Sequence, residues 1–244
     1  MGSKSTGVVV FPGAGSFGGE LRQLLRELGA SAWIVRYPGR FGKDLGSAAG
    51  SFEEIVESCL TQVRLREPDR AVLVGHSFGA YVAYATAKKL EELGTEIPAL
   101  VVVGATAPGL LSVPEAATRN RSGTAAFLGG ILDESSDDWK DIVLDTAMQD
   151  LRLLKEFDAS KYGKIRCPIL AARGEADPLT SASGICEWAD VTIGGCIHRT
   201  FPGGHSDLLR SSEFAAWLSG VRGREQTRIE EAAARKEVGA HNTR

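Results

Sequence analysis

Residues 71–90 read AVLVGHSFGAYVAYATAKKL: four apolar residues, a Gly75-x-Ser77-x-Gly79 turn, then a helix-compatible run. The apolar run predicts a buried strand and the segment after the turn a helix, which places Ser77 on a sharp strand-to-helix bend. Glycine is needed at 75 and 79 because a side chain at either position would crowd the strand and helix where they pass close together. The bend pushes Ser77 out at the top of the sheet with its hydroxyl exposed. The Phe78 N–H, at the start of the helix, then faces any oxygen that gains negative charge during attack. A bare five-residue glycine pattern recurs by chance. Flanked by an apolar strand and a helix carrying Tyr81, Ala85 and Leu90, it reads as a nucleophile elbow.

Working outward toward the N-terminus, Gly7 to Phe11 (GVVVF) is an uninterrupted β-branched run and predicts a buried strand. The glycine-rich stretch Gly13 to Gly19 follows, opening onto a helix from Glu20 to Leu28 with Leu21, Leu24, Leu25 and Leu28 on one face. This stretch lacks the Lys-Ser/Thr of a phosphate-binding loop. Its GxGxxG spacing has no acidic residue near position 38 to hold a ribose, since the sequence there is Val35-Arg36-Tyr37-Pro38. The better reading places its backbone amides beside Ser77, completing an oxyanion hole. Ser31 to Val35 is a second strand ending in the turn Tyr37-Pro38-Gly39-Arg40. Ser51 to Arg66 is an amphipathic helix, with Ser51 and Glu54 spaced as a capping box.

Beyond the elbow, Ala99 to Val103 is another buried strand. Residues 109–163 break the alternation: helices fit at 115–120, 124–132 and 137–157 with no strand between them, which reads as a helical lid inserted over the upper edge of the sheet. Within it, Gly129-Gly130 is a candidate hinge, and Asp133, Glu134, Asp137 and Asp138 form an acidic run. The rhythm resumes with the strand Cys167 to Ala172, which leads to Asp177-Pro178, and with Arg199 to Phe201, which leads to Gly203-Gly204-His205. A last helix fits 211–221. Alternating short strands and helices predict an α/β fold with a mostly parallel sheet covered on both faces. Ser77, Asp177 and His205, each at a strand's C-terminal end, follow the chain order of an α/β-hydrolase triad. Glu175 is the alternative acid. His198, lacking a glycine turn, is a poor alternative base.

Composition narrows the function classes. The chain has 244 residues, enough for one large α/β domain, and 28 basic against 31 acidic residues give a net charge of −3, so no electrostatic footprint for nucleic acid is present. The four cysteines, Cys59, Cys167, Cys186 and Cys196, contain no CxxC pair, which argues against a zinc site and for reduced thiols in the cytoplasm. No run approaches 18 apolar residues, and MGSKSTG is not a signal segment, so neither a membrane partner nor export is expected. Residues 1–221 read as a single domain, and 222–244 as a polar tail.

From Val8 to about Leu218 the chain resembles the type II thioesterases that accompany polyketide synthases and nonribosomal peptide synthetases. The likeness rests on Phe11-Pro12-Gly13-Ala14-Gly15, Tyr37-Pro38-Gly39-Arg40, Gly75 to Ala80, Gly104 to Pro108, Asp177-Pro178, Trp188 and Gly203-Gly204-His205. Two departures stand out: Gly13 replaces a histidine or aromatic, and Ser206-Asp207 replaces an aromatic after the base. The resemblance implies an α/β-hydrolase fold and hydrolysis of acyl groups from the phosphopantetheine arms of carrier proteins, with Ala14 and Phe78 supplying the oxyanion N–H groups. It implies no metal and no cofactor beyond the arm that carries the substrate. A carrier protein is the expected partner of a monomer, approaching basic groups such as Arg40, Arg119 or Arg121. Transfer from Ser77 to an alcohol, amine or thiol, and a silent binding module of the same fold, are the alternatives.

Overall fold

A computed structural model describes residues 6–40, 46–66, 70–129 and 137–221. Six parallel strands, β1 (Thr6–Phe11), β2 (Ala32–Ile34), β3 (Arg70–His76), β4 (Leu100–Val103), β5 (Ile169–Gly174) and β6 (Cys196–Phe201), form one sheet in the order β2-β1-β3-β4-β5-β6. The chain therefore reverses direction of travel across the sheet after β2, and β3 lies centrally between β1 and β4. Such a reversal opens a crevice at the C-terminal ends of the strands, where ligands bind in sheets of this kind.

Both faces of the sheet are apolar, which is why the strand sequences run without polar alternation. On one face Val9, Phe11, Leu73, Val102 and Ala171 pack against α2 (Phe52–Leu65) and α3 (Phe78–Glu92). On the other, Val8, Val10, Val72, Val74, Val101 and Val103 meet α1 (Arg22–Leu28) and the last described helix, α8, over 212–221. Helix α2 starts as its sequence predicts: Ser51 Oγ accepts the Glu54 N–H at 3.1 Å. The Glu54 carboxylate reaches back to the Gly50 N–H at 2.7 Å, one residue beyond the usual capping box.

The inserted region consists of α4 (Glu115–Arg119), α5 (Arg121–Leu128) and α6 (Asp137–Leu154), with no strand among its described residues. Helix α6 buries Ala147, Leu151, Leu153 and Leu154, so its C-terminal half belongs to the core. Gly130, Asp133, Glu134 and the tail 222–244 lie outside the described residues. Strand β6 begins at Cys196, three residues before the sequence signal at Arg199. It is an edge strand whose residues 197–200 are exposed, so pairing with β5 holds it in place without the apolar run that marks the inner strands. A short helix, α7 (Ala182–Cys186), joins β5 to β6. No described helix is long and apolar enough to cross a membrane.

Candidate active site

Ser77 lies between β3 and α3 with φ 52° and ψ −121°, and it is the only described non-glycine residue with positive φ. The cause is close packing of the two elements. A Cβ at Gly75 would run into the backbone of Gly79 and Ala80, and one at Gly79 into the carbonyls of Phe11 and Pro12. Strand β1 therefore presses on the start of α3, and the turn has no room to relax. The Ser77 N–H is tied to the Val103 carbonyl at 2.8 Å, which fixes the bend to β4.

Asp177 and His205 reach the site on two loops that continue the β5–β6 pairing past the strand ends. The Glu175 N–H donates to the Phe201 carbonyl at 2.8 Å and the Ala176 N–H to the Gly203 carbonyl at 2.9 Å. A Cβ at Gly174 would collide with the carbonyls of Gly203 and Gly204, so glycine there allows the loops to touch. Across this seam His205 Nδ1 sits 3.0 Å from both carboxylate oxygens of Asp177, and both side chains are buried. Burial alone would raise the Asp177 carboxyl. The hydrogen bond and charge of His205, with the Leu179 N–H at 2.8 Å on Oδ1, outweigh it and hold the group below its ordinary range. The alternative acid, Glu175, is exposed, and so is His198 on β6.

His76, inside the elbow motif, is buried and tied to His205: its Nε2–H donates to the His205 carbonyl at 3.2 Å. Burial, reinforced by neighbouring His205, pulls its pKa down to about 3, which keeps the ring neutral. Its Nδ1 has no described partner and would lie 2.9 Å from a Cβ at Gly13. A larger residue at 13 would therefore collide with this ring as it stands. Asp207 Oδ2 accepts the Gly204 N–H at 2.7 Å and stiffens the turn that carries His205.

Ser77, Phe78 and His205 line a cavity of about 220 Å³ whose remaining wall is largely apolar: Tyr81, Leu110, Leu111 and Val113, with Phe127 and Leu128 of α5 and Leu151 and Leu154 of α6. The Gly13–Ser16 loop closes in from the β1 side, as the steric contacts of Gly13 with His76 and Ser77 require. As the first helical residue, Phe78 has an N–H without an acceptor inside α3, and no described group accepts the Ala14 N–H. A larger cavity of about 370 Å³ lies behind the same loop, lined by Phe17, Trp33, Arg36 and Arg66 among others, and it touches neither Ser77 nor His205.

The three arginines expected to meet a carrier are differently placed. Arg40 is buried, ion-paired with Asp150 of α6, and donates through Nη1 to the Ser16 carbonyl at 2.5 Å, so it cannot meet a partner protein. Arg121 holds Asp141 and Asp145 at 2.6 and 2.5 Å, and Arg119 holds Glu115 at 3.1 Å; both remain exposed. Asp150 itself belongs to none of the sequence motifs. The signal was present, because Asp150 falls on the apolar stripe Val143, Ala147, Leu151, Leu154, where an unpaired acid would be costly.

The thioesterase domain family model matches residues 6–221, which covers every described strand and the three residues discussed above. The chain is 30% identical over 213 residues to thioesterase PikA5 of Streptomyces venezuelae, covering 81% of this chain and 74% of that one. Among solved structures, the thioesterase RedJ from the prodiginine pathway of Streptomyces coelicolor superposes with a TM-score of 0.75 at 27% identity, over 88% of this chain and 85% of that one. The fold is shared further with the type II thioesterase BorB of the borrelidin cluster, at a TM-score of 0.79 and 23% identity over 91% and 94% of the two chains. With a parallel sheet, a serine on a glycine-cleared elbow and a domain match spanning the whole described core, the chain belongs to the thioesterase domain family.

Proposed function

We propose that this protein is a type II thioesterase that hydrolyses acyl groups from the phosphopantetheine arms of carrier proteins in polyketide or nonribosomal peptide synthesis, with Ser77, His205 and Asp177 as nucleophile, base and acid. The observation that carries the mechanism is His205 Nδ1 at 3.0 Å from both Asp177 oxygens, in a residue that lines the same cavity as Ser77. Asp177 orients the ring and stabilises the imidazolium that forms. Ser77 Oγ attacks the thioester carbonyl carbon while its proton moves to His205 Nε2. The carbonyl oxygen becomes an anion facing the Ala14 and Phe78 N–H groups, which stabilise it because they are already oriented.

Collapse of that intermediate breaks the C–S bond, and the departing thiolate sulfur takes the proton from His205 to leave as the thiol. Water then attacks the acyl-serine with His205 again as base, and the free acid leaves. The apolar wall formed by Tyr81, Leu110, Val113 and Phe127 suits the acyl chain, and the helices α4 to α6 serve as its lid. The substrate class is supported by the relatives, one named a thioesterase and the other, RedJ, named a thioesterase of the prodiginine biosynthetic pathway. The test is mass spectrometry of a carrier protein loaded with varied acyl groups, before and after addition of the protein, with and without candidate acceptors. Free holo-carrier and free acid are expected. An acyl-acceptor product in place of the acid would make the protein a transferase, and an unchanged carrier with no Ser77 adduct would leave only a binding role.

A further inference from the structure

The loop carrying Ala14 is held at each of its peptide groups by residues that never reach the cavity. The Tyr37 hydroxyl donates to the Pro12 carbonyl at 2.9 Å. The Gly13 carbonyl accepts the Ser16 N–H at 3.2 Å, and because that carbonyl shares a peptide plane with the Ala14 N–H, the latter points the opposite way. On the other side of Ala14, the Gly15 N–H donates to Asp150 Oδ2 at 2.8 Å. Arg40 pairs with the same carboxylate oxygen, donates to the Ser16 carbonyl, and lies over the Tyr37 ring at 4.6 Å. The Arg40 and Asp150 side chains are only 3% and 7% exposed.

Helix α6 is pressed directly onto this loop. Gly15 has φ 72°, and a Cβ there would lie 2.8 Å from both the Val143 carbonyl and the Ala147 Cβ. A buried ion pair is costly to assemble and still more costly to leave half-made, so this one holds its two ends in a fixed relation. One end is the turn after β2; the other is α6, which also walls the acyl cavity through Leu151 and Leu154.

We infer that Arg40 and Asp150 are positioning residues of the oxyanion hole: together they lock the peptide planes around Ala14 so that its N–H faces the reacting carbonyl, and they couple that geometry to the seating of α6. The inference rests on the reading of Ser77 as nucleophile. It adds that transition-state stabilisation is set by a pair that touches no substrate. It also gives the Tyr37-Pro38-Gly39-Arg40 turn a role in the chemistry in place of partner binding.

The experiment compares Asp150→Ala, Asp150→Asn, Arg40→Met and the double variant Arg40→Met/Asp150→Asn in the full chain. Steady-state hydrolysis of a short acyl thioester of N-acetylcysteamine is measured alongside hydrogen–deuterium exchange over residues 12–18. Loss of one oxyanion donor costs about 10²- to 10³-fold in kcat. Asp150→Ala is therefore expected to lower kcat by about 10²-fold while leaving KM near wild type, with faster exchange at Gly13 to Ser16. The double variant removes both buried charges yet keeps an amide oxygen for the Gly15 N–H, and it should recover much of the loss. It also serves should Asp150→Ala not fold. An unchanged kcat in a folded Asp150→Ala protein would overturn the inference, as would a rise in KM with kcat intact, or exchange confined to α6. Were the wild-type protein unable to hydrolyse the thioester, the reading of Ser77 would fail. The exchange data would then decide the clamp alone, since unaltered protection of Gly13 to Ser16 in the variants would overturn it.

Discussion

Replacing Ser77 with alanine removes the oxygen on which the proposed acyl-enzyme is built; of the other hydroxyls that line the cavity, those of Tyr81 and Thr106 donate to the Thr106 and Leu179 carbonyls, and neither they nor Ser112 stands on the elbow. Turnover should fall by about 10⁴-fold or more, with no acyl adduct by intact mass. Asp177→Asn should cost about 10²- to 10⁴-fold in kcat, because an amide cannot stabilise the imidazolium and favours the wrong tautomer. Glu175→Gln, at an exposed position, should leave kcat near the wild-type value, and a reversed order in these two variants would transfer the acid's role to Glu175. Ser77, Asp177 and His205 were legible in the sequence because each follows a strand on a turn with glycine or proline. The apolar stripe marks Asp150 as a buried acid in need of a partner, but not which partner, since Arg40 stands 110 positions away and nothing local links them. His76 was likewise seen only as part of a motif, and its burial makes a pH prediction. Unfolded, it binds a proton near the ordinary 6.5; folded, only near 3. Between those values the unfolded chain holds the extra proton, so stability rises with pH through this window at a slope of order 1 kcal/mol per pH unit and is level above it. Urea titrations from pH 6.5 down to 4 should show a steeper loss for wild type than for His76→Gln, and parallel losses would rule the histidine out as the cause.

Among the elements, the junction of β1, β3 and α3 has the least slack. Gly79→Ala sets a methyl group against the Phe11 and Pro12 carbonyls, which are backbone atoms that cannot swing aside. Overpacking of this kind costs about 1–3 kcal/mol, and here it also displaces the Phe78 N–H and the Gly13–Gly15 loop. The expected result is a lower midpoint in thermal unfolding together with a kcat reduced beyond what the residual folded fraction explains; a normal kcat at full folding would show that the junction tolerates movement. The helical insertion behaves as two kinds of element at once. Its outer part carries exposed Trp139 and Ile142, while its inner part, from Ala147 to Leu154, is sealed into the core and anchored to the Gly13–Ser16 loop. Sequence periodicity identified α6 but not this anchoring, because an amphipathic stripe says which face is buried and not which loop it is buried against.

At the scale of the whole molecule, the parallel sheet was readable because its inner strands are apolar on both faces, with Val8 to Phe11 and Ala71 to Val74 as continuous runs. Strand β6 was read short because it is an edge: Ile197 is 65% exposed and its neighbours are polar, so only the ladder to β5 marks its start. The position of the proposed nucleophile, Ser77, bears on the resilience of the entire fold. Ser77 occupies a backbone conformation that L-residues avoid, and such a conformation stores about 1–3 kcal/mol that the remaining packing must offset. A glycine at 77 releases much of that stored energy, less the share returned through a looser unfolded chain, whereas an alanine keeps it. Ser77→Gly should therefore melt at a higher temperature than both wild type and Ser77→Ala while being equally inert toward thioesters. Equal melting of the glycine and alanine variants would mean that the bend is relaxed. A higher value for glycine would mean that the proposed reactive centre is a permanent thermodynamic burden, and that descendants of this chain gain heat tolerance simply by giving up the serine.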